Sequence, residues 1–411
     1  METTEIKIEQ KFIEQAEFFA RGAEVLPGGV MELAKKLQNA EKNNKPLRIK
    51  LGMDPSRPDL HLGHTVVMRK IKQFQEAGHK IILLIGGGTA MIGDPSGKSD
   101  TRPSLTKEQV DENAKTYFDQ MAKVVDITRA EVVNNAEWLL PLDLTKMLTL
   151  SSKVTVAQLL TRDDFAKRYA EGKPISVHEF FYPLLQAYDS VEINADIELG
   201  GTDQRFNTLL GRDIQSAYGK EDPQMVMLLP LLEGTDGLVK MSKSYPEHCI
   251  GICDAPNDMY GKLMSIPDNM ILKYFTLLTD VSNSELKEIE EKLKTQNPRD
   301  LKMQLAFTIT EMYNGTEHAR EAQEHFIKTV QKKEIPDDIP EMVIETGKSL
   351  LDTISAFDNT LSRSEIKRLM LSGAVKVDGE KVSDIGFVLS SDKKEYTIQY
   401  GKRKFLKGII K

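Results

Sequence analysis

The sequence predicts an α/β fold built on a doubly wound parallel sheet, followed by a helical segment and a small α+β segment. Three observations predict it. Apolar stretches of strand length alternate with amphipathic helical stretches through the first half. A paired-histidine motif sits just past the carboxyl end of the first such strand, where doubly wound sheets place their sites. From Leu350 onward the charge changes sign and a capped helix is followed by a hairpin.

The elements follow in order. "LRIKLGM" (47–53) reads as a strand, and "TVVMRKIKQFQEAG" as a helix with Val66, Val67, Ile71 and Phe74 near helical spacing. Gly78 ends that helix, and "KIILLIGG" follows as a buried strand. From about 103 to 180 the pattern is mostly helical, which suggests an insertion between two halves of the sheet. Strand-like "MVMLLPLLE" (225–233) leads into the loop "GTDGLVKMSKSYPEH", and 258–334 reads as helical. "VQKKEIPDDIPEMVIETGKS" combines prolines with dense charge and reads as a linker. Beyond it, "SRSEIKRLMLSG" carries a capping box (Ser362 with Glu365) and a helix-stopping Gly373. "AVKVDGEKVS" alternates about Asp378-Gly379, which predicts a hairpin.

Bulk composition limits the function classes. The 411 residues suffice for two or three domains, with 40% hydrophobic and 28% charged residues typical of a globular protein. No apolar run approaches the ~20 residues of a membrane span. The charged, helix-like start lacks a signal-peptide pattern, so a cytoplasmic protein is expected. Cys249 and Cys253 are the only cysteines, which excludes a disulfide framework and a four-cysteine zinc site. Net charge is −7, yet Leu350–Lys411 holds 12 Lys or Arg against 8 Asp or Glu, leaving −11 on the other 349 residues. A basic tail on an acidic body suggests a polyanion partner, though charge alone does not decide it.

Chemistry concentrates in a few segments. In "PDLHLGHTVVM" (58–68), His61 and His64 lie three apart on the opening turn of a helix, hence on one face. That turn presents unpaired N–H groups and a positive dipole end, so it suits an anion. A solvated helix start is the plainer alternative. "IGGGTAMIGDPSGKSD" (85–100) follows a strand, but Ile92 stands where a P-loop needs glycine, and Met91 where a dinucleotide fold needs its third. Its glycines still allow close backbone approach, with Asp94, Lys98 and Arg102 nearby. "KMSKS" (240–244) sets two lysines three apart in a glycine-flanked loop, about 180 residues after the histidines.

With HLGH and KMSKS in this order, the chain resembles the class I aminoacyl-tRNA synthetases. "YPLLQAYD" (182–189), "GGTDQRFN" (200–207) and "GDPSGK" (93–98) narrow the resemblance to the bacterial-type tyrosyl enzymes. The resemblance implies a Rossmann-like catalytic domain with a helical insertion over 1–233 and a KMSKS loop with a helical anticodon-side domain over 234–330. A linker (331–348) and a small RNA-binding domain (349–411) follow. It implies a ligase that activates tyrosine with ATP, releases pyrophosphate, and passes the tyrosyl group to the 3′ end of tRNA(Tyr). Mg2+ would accompany ATP, with no metal held tightly by the protein, and the enzyme would be a homodimer.

Site residues follow by the same resemblance. His61, His64, Lys98, Arg102, Lys240 and Lys243 would act on the phosphates, and Ser56, Gly63, Asp203, Met241 and Ser244 would help bind ATP. Thr89, Asp94, Tyr182, Gln186, Asp189 and Gln204 would bind tyrosine, with Asp189 accepting the phenol hydroxyl. Tyr182, Gln186 and Asp189 lie at i, i+4 and i+7, a face too polar for a core. In the tail, Arg363, Lys367 and Arg368 on the helix and Lys376 and Lys381 on the hairpin would contact tRNA phosphates. Lys50 stands where many members have a tyrosine that also touches the phenol; a subset is similar to this chain there. Ser56 replaces the usual threonine and keeps its hydroxyl. His79, His178, His248, His318 and His325 have no motif around them and read as surface or core residues. The rivals are the tryptophanyl enzyme, at odds with Asp189 and the basic tail, and a non-catalytic RNA-binding relative, at odds with the intact signatures.

Overall fold

Strands covered on both faces need apolar residues at nearly every position, and KIILLI and MVMLL are such runs. The computed structural model describes residues 7–53, 60–91, 115–242, 244–331, 339–344, 347–390, 393–401 and 404–410. The chain divides into two units, 1–313 and 314–411.

The larger unit opens with α1 (Gln10–Ala20), β1 (Glu24–Leu26) and α2 (Gly29–Lys42). Next come β2 (Arg48–Met53), α3 (Leu62–Glu76), β3 (Lys80–Ile85), β4 (Ala130–Asn134), α4 (Ala136–Leu139) and α5 (Leu144–Ser151). α6 (Phe181–Glu192), β5 (Ile197–Gly201), α7 (Arg205–Ala217), β6 (Met225–Leu229) and α8 (Ile271–Leu278) complete the elements used below. The sheet runs β1-β6-β5-β2-β3-β4. β6, β5, β2, β3 and β4 are parallel, and β1 pairs antiparallel on the β6 edge. The strand order reverses between β2 and β5. A doubly wound sheet opens a ligand crevice at the carboxyl ends of such strands, so the start of α3 and the residues after Gly201 lie on either side of it.

α3 covers the sheet with Val66, Met68, Ile71 and Phe74, all buried, while Val67 is half-buried. Gly78 ends the helix at φ 86°, a conformation that costs glycine little. The described part of 103–180 is mostly helical as expected, but it also holds β4, which the pattern did not predict. This strand pairs parallel with β3 and completes that half of the sheet. Being a half-exposed edge strand, it lacks the apolar run that reveals its neighbours.

The smaller unit contains β7 (Glu341–Ile344), α9 (Arg363–Leu371), β8 (Val375–Val377), β9 (Glu380–Lys381), β10 (Glu395–Tyr400) and β11 (Phe405–Ile410). Its sheet runs β7-β11-β10-β8-β9. Ile366 and Met370 of α9 pack with Val375, Ile398 and Leu406 in a core of its own. The Ser362–Glu365 capping box forms, and Asp378 and Gly379 turn the hairpin with positive φ. The stretch read as a linker contributes β7, which pairs parallel with β11. Charge and prolines around "EMVI" hide that strand from its pattern.

Candidate active site

The histidine pair works first on its own helix. His61 is the N-cap of α3, and its Nδ1 accepts the Gly63 N–H at 3.2 Å. His64 Nδ1 accepts the His61 N–H at 3.2 Å, which closes a reciprocal cap. Each ring spends Nδ1 as an acceptor, so a neutral ring carries its proton on Nε2 and offers a donor there. The rings lie 3.9 Å apart between centroids. A Cβ on Gly63 would sit 3.0 Å from the His61 ring, so a larger residue there would press on that ring.

The second signature folds against the first. A Cβ on Gly63 would stand only 3.7 Å from Met241 Cβ. Met241 is buried and anchored by its N–H to Leu232 O at 2.8 Å. The chain after the loop also docks beside the histidines, with Leu62 N donating to Ile250 O at 3.0 Å and Ile252 N to Leu60 O at 3.1 Å. From the far side of the switch point, Asp203 reaches Lys240 Nζ at 3.0 Å. HLGH, GGTDQ and KMSKS thus converge, and Ser244 lies exposed on the loop.

The i, i+4, i+7 face of α6 points inward as its spacing predicts: Tyr182 and Asp189 are buried and Gln186 is half-buried. Asp189 receives Trp138 Nε1–H at 2.8 Å on one oxygen and Asn135 Nδ2–H at 3.0 Å on the other. Asn135 also donates to Thr89 Oγ1 at 3.2 Å and accepts the Gly88 N–H at 2.7 Å. Burial pushes the Asp189 carboxyl up to about 7, against the opposing Lys50 charge and the Asn135 and Trp138 hydrogen bonds. Asn207 Nδ2 donates to both Gln186 Oε1 (2.9 Å) and Gln204 Oε1 (3.0 Å), joining two residues carried over separately. The glycine run packs tightly too, since a Cβ on Gly87 would overlap Asn134 Oδ1 at 2.2 Å.

Asn135, Trp138 and Asn207 were missed from sequence. Asn207 lies inside the quoted GGTDQRFN, Trp138 is the chain's one tryptophan, and Asn135 follows the strand that the pattern concealed. Ser56, Asp94, Lys98, Arg102 and Lys243 lie outside the described residues. In the smaller unit, Arg363, Lys367, Arg368 and Lys381 are exposed and Lys376 is half-buried. Arg363 is ion-paired with Asp352, and Lys376 sits opposite Lys381 in the hairpin.

The chain matches the tRNA synthetases class I (W and Y) over residues 42–331. It is 53% identical over 385 residues to the tyrosine–tRNA ligase of Thermotoga maritima, covering 93% of this chain and 95% of that protein. It is 51% identical over 405 residues to that of Carboxydothermus hydrogenoformans, covering 96% and 98%. The Archaeoglobus fulgidus tyrosyl-tRNA synthetase, solved with L-tyrosine, has a TM-score of 0.59 at 24% identity and covers 76% of this chain and 99% of that one; this likeness concerns the fold. The chain belongs to the class I tRNA synthetases. Within them it belongs to the tyrosine–tRNA ligases, and the tryptophan alternative is not favoured.

Proposed function

We propose that the residues gathered at the β2–β5 switch point carry out both steps of tyrosine attachment to tRNA(Tyr). The protein is an ATP-using aminoacyl-tRNA ligase. The tyrosine carboxylate attacks the α-phosphorus of ATP and pyrophosphate leaves. A terminal ribose hydroxyl of tRNA(Tyr) then attacks the adenylate carbonyl and AMP leaves. The protein's task is to position the reactants and to neutralise charge on the leaving group. The observation that supports this reading best is the close approach of the two signature segments, since a Cβ on Gly63 would stand 3.7 Å from Met241 Cβ.

Each group then has a role. The Nε2 donors of His61 and His64, at the positive end of α3, meet the phosphates as the α-phosphorus becomes five-coordinate. Lys240, Lys243 and Ser244, with Lys98 and Arg102, grip the pyrophosphate. Lys240 exchanges its Asp203 partner for phosphate, and Asp203 turns to the ATP ribose. Ser56, Gly63 and Met241 line the nucleotide. Asp94, Tyr182, Gln186 and Thr89 hold the tyrosine ammonium, Gln204 lies by its carboxylate, and Asp189 accepts the phenol hydroxyl. A site built to bond a hydroxyl rejects phenylalanine, because its buried acceptor is left unpaired; the tyrosyl enzymes are themselves the standard illustration of that physics. Mg2+ would accompany the ATP phosphates and offset their charge. Among the described residues no three His, Cys, Asp or Glu are gathered to hold a metal.

The remaining assignments are proposed on surface features. Arg363, Lys367, Arg368, Lys376 and Lys381 dock tRNA phosphates. Leu140, Leu144 and Leu148, exposed by 62%, 74% and 62%, offer an apolar stripe to a second copy. Leu144→Glu with Leu148→Glu should then convert a dimer to monomers in sedimentation. No helix among the described residues is long and apolar enough to cross a membrane. The cytoplasm is the proposed location because ATP and tRNA, the proposed substrates, meet there. The site reading is tested by tyrosine-dependent pyrophosphate exchange in the wild type and in Asp203→Ala. Exchange should fall with a raised KM for ATP, and an unchanged KM would remove Asp203 from the nucleotide site.

A further inference from the structure

Lys50 is a charged residue at the centre of an apolar sheet. It has no exposed surface, and its strand neighbours Ile49 and Leu51 are buried with it. β2 lies between β5 and β3, and the parallel register sets Lys50 opposite Glu198. The ammonium lies 2.9 Å from Glu198 Oε1 and donates to Ser190 Oγ at 2.8 Å and to Gln186 O at 3.1 Å. Glu198 Oε2 in turn accepts from Ser190 Oγ at 3.1 Å and from Gln224 Nε2. Three N–H donors therefore meet three acceptors.

A buried ion pair is a poor device for stability alone, since an apolar pair of similar volume often serves as well or better. The geometry shows what an apolar pair could not do. Two of the three bonds from Lys50 leave the sheet and reach α6, at Gln186 and Ser190. Those residues bracket Asp189, so the ammonium ties down the turn that carries the side chains assigned to tyrosine above. We propose that Lys50 is a positioning residue for amino-acid selection, holding Gln186 and Asp189 of α6 in register against the Glu198 carboxylate of β5. This rests on the reading of Asp189 as the acceptor of the phenol hydroxyl.

The charge acts in the same direction. The groups facing Asp189 are Lys50 from β2, Glu198 from β5, and the neutral Asn135 and Trp138 from beyond β4. Burial raises the Asp189 carboxyl, Lys50 opposes that rise, and Glu198 adds weakly to it. An ionised Asp189 accepts the phenol O–H. Removing the ammonium therefore shifts the need for ionisation to higher pH.

The test uses the full chain, with pyrophosphate exchange driven by tyrosine or by phenylalanine across pH, and melting temperature measured alongside. The variant Lys50→Met/Glu198→Gln neutralises both partners and leaves no lone buried charge. Its KM for tyrosine should rise about tenfold with kcat nearly unchanged, its preference for tyrosine over phenylalanine should shrink, and its acid limb should move up by about one pH unit. Lys50→Arg keeps the charge but cannot reproduce a three-way ammonium geometry. It should keep the parental acid limb while KM rises, and it decides the matter should the neutral pair fail to fold. Parental KM and parental selectivity in either soluble variant, with only the melting temperature lowered, overturn the proposal and leave Lys50 a structural residue. Asp189→Asn separates the two readings. Unchanged selectivity there removes the phenol assignment itself, whereas lost selectivity there with parental Lys50 variants removes only the role of Lys50.

Discussion

The two halves of the site are built in opposite ways. On the proposed amino-acid side, Asp189, Asn135, Thr89 and Lys50 are buried; Asn135 donates to both Asp189 and Thr89, and Lys50 is held by Glu198, Ser190 and the Gln186 carbonyl. On the phosphate side, Lys240 and Ser244 lie on an exposed loop, anchored mainly through buried Met241. The contrast suits the role proposed for each half. Selecting a hydroxyl requires acceptors held in place before the ligand arrives, so that a wrong ligand leaves them unpaired. Stabilising a leaving pyrophosphate requires charges that engage most strongly in the transition state, which raises the rate rather than tightening ground-state binding.

The largest expected effect tests the exposed half. Lys243→Ala should slow adenylate formation by about 10²–10³-fold while leaving the KM for tyrosine within about twofold. Rapid-quench measurement of the first turnover reads this directly, and an equal loss of tyrosine affinity breaks the contrast.

A second prediction probes the buried half through pH. In the proposed role Asp189 accepts the phenol best when ionised, and burial holds its carboxyl at about 7 in the folded chain, against an ordinary value of 3.8. Its proton is therefore released as pH rises through about 7. Below that, kcat/KM for tyrosine should fall about tenfold per pH unit, and kcat/KM for phenylalanine should fall less. Parallel profiles for both amino acids would remove the acceptor role.

The smallest effect belongs to the basic face of the smaller unit. Lys367→Glu with Arg368→Glu should lower kcat/KM for tRNA by about tenfold and flatten its salt dependence, with pyrophosphate exchange unaltered. Charging that survives unchanged at physiological salt would assign α9 another role.

Much of this was legible in the sequence, for local reasons. The runs of β3 and β6, the cap at Ser362 and the Asp378-Gly379 turn each depend on neighbours within a few residues, and each forms. HLGH and KMSKS were legible because their residue types and order mark the family to which the chain belongs. Less legible were elements whose reason is distant. β4 is held at a sheet edge by β3, and β7 by β11, with little apolar pattern of their own. Missing β4 hid Asn135, which is aimed at Asp189 from the residue after that strand. Lys50 was visible only as a departure from its family. Its pairing with Glu198 is set by the register of β2 on β5, which no local pattern reports.

In the proposed mechanism the histidine helix start and the lysine loop act on one triphosphate. The most direct measurement is a double-mutant cycle on the rate of adenylate formation, using His64→Asn and Lys240→Ala. Asparagine can retain an acceptor for the His61 N–H and so spare the helix cap, while removing the Nε2 donor. The double variant should lose much less than the product of the single losses, because both groups hold the same leaving phosphates. Single losses that multiply without coupling, over the whole range of ATP concentration, would contradict it.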